Sequence, residues 1–159
     1  MTDDKNELTM TARQLRFIEL SWANACGKHR ENFILKAGPL PPGAAFVTRS
    51  ETRSFWERFA NRARATLEES DVRPIAFDDI LSRGVIRLNG ESCVWWHNES
   101  DTCGALRVSF SWVAQVWGRV KGPYSYPVLN VAAEDLSFGV EWEVGETGTW
   151  LRRWGVLAE

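Results

Sequence analysis

Five residues of this chain have reactive side chains at suggestive spacings: Cys26, His29, Cys93, His97 and Cys103. Cys26-x-x-His29 lies on one face of a helix, and Cys93-x3-His97-x5-Cys103 offers three further donors. On paper the five make a zinc-type ligand set. Geometry weighs against it. Cys93 and His97 stand four apart in a strand pattern, about 13 Å at about 3.3 Å per residue, whereas zinc ligands sit about 2.0–2.3 Å from the ion. A thiol nucleophile needs a hydrogen-bonded base and a group that orients it. Cys26–His29, Cys93–His29 and Cys103–His97 are the available pairs, and none carries a local signature of such an enzyme. The expectation is three reduced thiols that pack as small apolar groups, with no metal, no cofactor and no catalytic residue.

Carboxylates are the other candidate chemistry. Asp78-Asp79 and Glu134-Asp135 are sequence neighbours, and neighbours on a strand point to opposite faces. Glu141 and Glu143 share a face about 6.6 Å apart, which reads as the wet side of an amphipathic strand. The chain contains no GxGxxG, GxxxxGK[ST], GxSxG or HExxH, so the phosphate-cradling, nucleophile-elbow and zincin classes lose their usual signals. Asn98-Glu99-Ser100 fits the glycosylation sequon, but Met1 to Thr11 is polar and lacks a secretory pattern. No run approaches the roughly 18–20 apolar residues of a membrane span. A cytoplasmic protein is expected.

Tryptophan is the unusual component. Nine occur among 159 residues, against two Tyr and two His, and seven of the nine follow residue 83. Charge is divided the same way. Residues 1–83 carry 13 Lys/Arg and 12 Asp/Glu, whereas residues 84–159 carry 6 and 9. Trp95, Trp112 and Trp142 fall on apolar alternates and read as core. Trp96, Trp117, Trp150 and Trp154 are left for a second face or for the surface. Exposed Trp beside charge is the pattern of protein interfaces. The partner-binding set read from the sequence is therefore Glu134, Asp135, Glu141, Glu143 and Glu146, with Trp150 and Trp154 as anchors.

The elements that position these residues follow from periodicity. Thr11 with Gln14 forms a capping box, and Leu15, Ile18, Trp22, Ala25 and Cys26 recur on one helical face. The segment Gly38-Pro39-Leu40-Pro41-Pro42-Gly43 ends that helix. A second helix is predicted from about Ser50 to Ser70, and a short turn over Asp78–Arg83 is capped by Gly84. From Gly84 the period becomes 2. Val85–Leu88, Asn89-Gly90 and Glu91–His97 read as a type I′ hairpin, followed by a turn at 98–101. Leu106–Val116 reads as one long strand, 118–127 as a loop, and Val128–Ala133 and Leu136–Val144 as two more strands. Thr149–Leu157 reads as a short helix. The expected fold is α+β: two to three N-terminal helices, an antiparallel meander of about five strands, and a short C-terminal helix. It is one domain over 1–159, with 1–10 disordered, 11–83 mainly helical and 84–159 mainly sheet. This order resembles the cone-shaped sheet wrapped by helices of the family that includes nuclear transport factor 2, a likeness of order that no motif carries.

These observations favour a non-enzymatic protein-binding protein: an inhibitor or immunity protein that neutralises a bacterial toxin such as a nuclease. Its acidic, Trp-bearing surface would speed encounter with a basic partner. The alternative is a small-molecule-binding protein or enzyme with an aromatic pocket, using Tyr124, Tyr126, His97 and Glu141. A third is a nucleic-acid binder using Trp stacking and the arginines Arg49, Arg53, Arg58, Arg62 and Arg64. Glu51 and Glu57 dilute that basic run, and at helical angles it forms no single ridge.

Overall fold

The structure, a computed structural model, describes residues 11–96, 103–120 and 128–159. The chain is mixed α+β, with four α-helices and a seven-stranded antiparallel sheet among the described residues. The helices are α1 (Ala12–Ala37), α2 (Arg49–Arg64), α3 (Pro74–Leu88) and α4 (Phe110–Val120). The strands are β1 (Ala45–Phe46), β2 (Glu69–Ser70), β3 (Ser92–Trp96) and β4 (Leu106–Ser109), then β5 (Val128–Ala132), β6 (Gly139–Gly145) and β7 (Gly148–Trp154). A 3₁₀ turn, Gly155–Ala158, ends the chain. Strand order is β1-β4-β3-β5-β6-β7-β2. The expectation of about five strands is corrected to seven, and the helices are not all N-terminal, because α4 interrupts the strand series.

Alternation divides the sheet into two faces. Cys93, Trp95, Leu106, Val108, Leu129, Val131, Val140, Trp142 and Leu151 point one way into the larger core, which also takes Phe33 of α1, Phe77, Ile80 and Leu81 of α3, and Phe110, Val113 and Val116 of α4. Phe77 stacks on Trp142 with centroids 4.4 Å apart and planes within 6°. The other face carries a smaller core. There Val94, Ala132 and Trp154 meet Phe55, Phe59 and Ala63 of α2.

Four local readings are corrected. Val85–Leu88 is the last turn of α3, and Asn89 is its left-handed cap at φ 41°. Asn-Gly serves a type I′ turn and a helix C-cap for the same reason, tolerance of positive φ. Gly84 is inside α3, where it admits close packing: a Cβ there would stand 2.7 Å from Leu157 Cδ2 and 2.9 Å from Phe110 Cε1. Leu106–Val116 divides at Ser109, whose hydroxyl accepts from the Trp112 N–H at 3.4 Å. Phe110, Val113, Val116 and Trp117 then form the buried stripe of α4. Thr149–Leu157 is strand β7 followed by the 3₁₀ turn, paired on one side with β6 and on the other with β2.

The thiol expectation also changes. Cys26 and Cys103 are joined as a disulfide, which ties the middle of α1 to the segment entering β4. Arg30 reinforces the joint by donating from Nη2 to the Cys103 carbonyl at 2.6 Å. Cys93 alone is free, and it is buried.

Candidate functional site

The second face of the sheet is covered unevenly, and its candidate residues lie in register. Trp96 stands opposite Asn130, Asn130 opposite Glu141, and Glu141 opposite Arg152. A polar row therefore crosses β3, β5, β6 and β7, one step from the apolar row Val94, Ala132, Gly139 and Trp154 that α2 covers. At its far end Arg152 donates to Glu141 Oε1 and to Glu68 Oε2, both at 2.6 Å. At its near end the Trp96 ring is stacked on Trp56 of α2, with centroids 4.3 Å apart. Trp56 in turn stacks on Phe59 at 5.5 Å.

Two groups in the near half of this row, on Trp96 and Asn130, are unsatisfied. Asn130 is only 3% exposed, and its Oδ1 finds no hydrogen-bond partner among the described residues. The buried Trp96 Nε1 is in the same position. A buried polar group left unpaired costs about 1–3 kcal/mol. The two groups belong to residues that are cross-strand partners, and each is a local cost of burying this row.

Three of the five acidic residues read from the sequence are engaged within the fold. Glu134 is bound by Arg107 through its carboxylate, and its carbonyl accepts from Arg58 Nη1 at 3.0 Å. Asp135 Oδ1 accepts the Ser137 N–H at 2.9 Å, a bond within the β5–β6 turn. The hydrogen bonds from Ser137 hold the Asp135 carboxyl below the ordinary carboxylate range. Glu141 is held by Arg152, Glu143 is exposed near the end of β6, and Glu146 is exposed in the β6–β7 hairpin.

The two expected anchors also diverge. Trp150 is half-buried opposite Glu143, with its ring over Gly145. Trp154 is 2% exposed and belongs to the core, so it presents no surface to a partner. Its Nε1 donates to the Leu136 carbonyl at 3.0 Å. Its ring fills the space over Gly139, where a Cβ would stand 2.1 Å from Cζ2.

The cysteine and histidine set does not assemble. Cys26 and Cys103 are consumed in the disulfide. Cys93 faces the larger core, and burial pushes its thiol far above the ordinary range, which keeps it protonated and inert. Among the described residues no group of three or more His, Cys, Asp or Glu is arranged to hold a metal ion. His97, Tyr124 and Tyr126 lie outside the described residues, as do the expected turn at 98–101, most of the expected loop at 118–127, and the segment 1–10. Of the arginines of α2, Arg49, Arg53, Arg58 and Arg64 are exposed and Arg62 is half-buried; Arg62 donates to Thr66 Oγ1 and Arg64 to the Ala60 carbonyl, while Arg49 lies 4.2 Å over the Trp22 ring. No helix of the described residues is long and apolar enough to cross a membrane.

Two further surfaces stand out. A cleft of about 360 Å³ opens between the first half of α2 and the sheet, lined by Ser50, Glu51, Ser54, Arg58, Val94 and Glu134 among others. The second is α1 itself. Its capping box is formed as the sequence predicts, Thr11 and Gln14 each accepting the other's backbone N–H. Yet from Ala12 to Ala25 no side chain is buried. Leu15, Phe17, Leu20 and Trp22 are 44%, 71%, 59% and 44% exposed. The sequence places Leu15, Ile18, Trp22, Ala25 and Cys26 on one helical face, and in the structure the buried positions of α1 begin only at Cys26 and continue with Phe33 and Ala37.

Comparison with protein-family models, with curated proteins and with solved structures finds no match to this chain.

Proposed function

We propose that this chain is a non-enzymatic protein-binding protein that engages its partner through the first half of α1. The observation that carries this reading is the exposure of Leu15, Phe17, Leu20 and Trp22 on a helix with no buried residue before Cys26. At about 100° per residue, Leu15 and Trp22 project from one side of the helix and Phe17 and Leu20 from the opposite side. A helix apolar on two sides gains most when it is laid into a groove, which is a recurring mode of protein recognition. Arginine is already paired with Glu134 and Glu141, so the weight of the interaction moves from the acidic sheet face to this helix. Neutralisation of a bacterial toxin such as a nuclease is the use we assign to such a surface.

The test is site-specific photocrosslinking in lysate of the source cells. A photoreactive phenylalanine at position 17 is expected to give one discrete adduct, and Leu15→Ser with Leu20→Ser is expected to abolish it. The same probe at Ile86, which is 78% exposed on α3, supplies the background. A position-17 pattern identical to the Ile86 pattern would overturn the reading.

A further inference from the structure

From the outward side of α1 we infer that two copies of this chain pair through it, antiparallel and two-fold symmetric. That side lies opposite the buried Cys26, Phe33 and Ala37. It consists of Arg13, Phe17, Leu20, Asn24, Lys28 and Glu31, all exposed. Their spacing of three or four residues keeps them pointing one way at about 3.6 residues per turn. Arg13 and Glu31 are about five whole turns apart, so they project in the same direction from the two ends of a stretch about 27 Å long.

Opposite charges at the two ends of one face are self-complementary. A second α1 laid antiparallel, with the two-fold axis level with position 22, brings Arg13 of each copy beside Glu31 of the other. One contact then makes two ion pairs. Within the chain itself, the ion pairs among the described residues use other side chains. Lys28 comes level with Arg16 of the second copy but on the opposite flank, so no like charges meet.

The same register seats the apolar side chains. In helix pairing a side chain enters the hole formed by residues i, i+3, i+4 and i+7 of the facing helix. Phe17 is level with the hole of Asn24, Gly27, Lys28 and Glu31 in the second copy. Leu20 is level with that of Leu20, Ala23, Asn24 and Gly27. Gly27 borders both holes, and nothing in its own chain accounts for it. It lies inside the helix, where glycine is unfavourable, and a Cβ there would meet nothing within 4 Å. Close approach of a second backbone is what a missing side chain admits. A patch whose charges, apolar groups and smallest residue all answer to the same patch under a two-fold rotation fits an isologous dimer. The contact leaves Leu15 and Trp22, on the other side of the helix, uncovered. It goes beyond the partner reading above and does not depend on it.

The experiment is sedimentation equilibrium of the purified full chain. It extends to about 1 mM, the weak end of the affinity scale, because a single helix pair lies at the small end of interface sizes. The weight-average mass is expected to rise with concentration from 18.1 kDa towards twice that value. Arg13→Glu and Glu31→Arg each set like charges together at both ends of the contact. Each is expected to weaken dimerisation at least about tenfold. The double variant Arg13→Glu, Glu31→Arg restores opposite charges and is expected to return to within about threefold of the unsubstituted chain. Gly27→Gln fills both holes and is expected to abolish the dimer, with helix content by circular dichroism retained.

A mass of 18.1 kDa at every concentration would overturn the inference. So would a dimer that the single charge reversals or Gly27→Gln leave intact, or one that the double variant fails to restore. The measurement uses the purified chain alone. A monomer there leaves the lysate adduct at position 17 standing, and loss of that adduct leaves the dimer standing; an adduct of two copies of the chain is told from a partner's by its mass.

Discussion

The two faces of the sheet are built from the same strands yet differ in what covers them. One face meets α1, α3 and α4 and is apolar across β4, β3, β5, β6 and β7. Among the described residues the other meets α2 alone, which covers the row ending in Trp154 and leaves the next row, Trp96, Asn130, Glu141 and Arg152, at its edge. Strand alternation specifies that two faces exist. How far each is buried depends on the length and placement of the helix above it. The polar row lies at the limit of α2, where aromatic, amide and ion-pair chemistry meet.

The largest effects are expected on the closed face. Trp142 is 2% exposed and stacked on Phe77, so Trp142→Ala is expected to cost about 3–5 kcal/mol in urea unfolding. Trp150 is the same residue type on the neighbouring strand but faces the open side, half-buried over Gly145. Trp150→Ala is expected to cost less than half as much. Equal losses at the two positions would mean that the second face is as closed as the first.

Next in size is the disulfide, which joins the helical layer on the closed face to the start of β4. Cys26 and Cys103 are separated by 77 positions, and the chain-entropy model assigns a loop of that length about 4.5 kcal/mol as an upper figure. The pair Cys26→Ser, Cys103→Ser is expected to lower stability by about 2–4 kcal/mol. A thiol titration of the unfolded, unreduced protein is expected to count one thiol, that of Cys93. Three thiols would show that the covalent tie is not made in the protein as isolated.

A smaller effect is expected within the polar row. Arg152 is 27% and Glu141 18% exposed in the side chain, so the pair is partly shielded and worth more than a fully solvated one. Arg152→Ala is expected to destabilise the chain by about 1–2 kcal/mol, because it leaves Glu141 half-buried without its counter-charge. The double variant Arg152→Ala, Glu141→Gln is expected to recover part of that loss. A double variant as unstable as the single one would show that the arginine acts through packing and not through charge.

What the sequence revealed, and what it hid, has local physical causes. The Thr11–Gln14 capping box was legible because its two hydrogen bonds are made within four residues. β6 was legible from its alternation, and β3 and β5 as short apolar runs rich in Val and Trp and bounded by turn residues. The stretch from Leu106 to Trp117 satisfies both periods, and Phe110, Val113 and Trp117 serve a helix as well as their neighbours serve a strand. Only the packing of α4 on α1 and α3 decides.

Trp150 and Trp154 share a face under either period, so their spacing could not distinguish strand from helix. An odd number of cysteines concealed a pair whose partners lie in different elements. The signal for Asn130 was present, as the one amide within Val128-Leu129-Asn130-Val131-Ala132. Its meaning depended on Trp96 standing opposite, which is a matter of register and not of local sequence.

The smallest expected effect concerns Asp135, at the turn that joins β5 to β6 beside the open face. Its carboxyl is held below the ordinary range by the hydrogen bonds from Ser137, so the folded state binds a proton there less readily than the unfolded chain does. The sign follows from linkage. The contribution is present above the ordinary carboxylate pKa of about 3.9 and is lost as pH falls through the lower folded value. NMR titration of the side-chain carboxyl is expected to give a midpoint below that of an unstructured aspartate. Asp135→Asn is expected to leave stability nearly unchanged below the folded pKa and slightly lower it near neutral pH. A midpoint at or above the unstructured value would show that the turn is held by its backbone alone, by bonds such as those from the Leu136 N–H to the Ala133 carbonyl and from the Ala133 N–H to the Phe138 carbonyl.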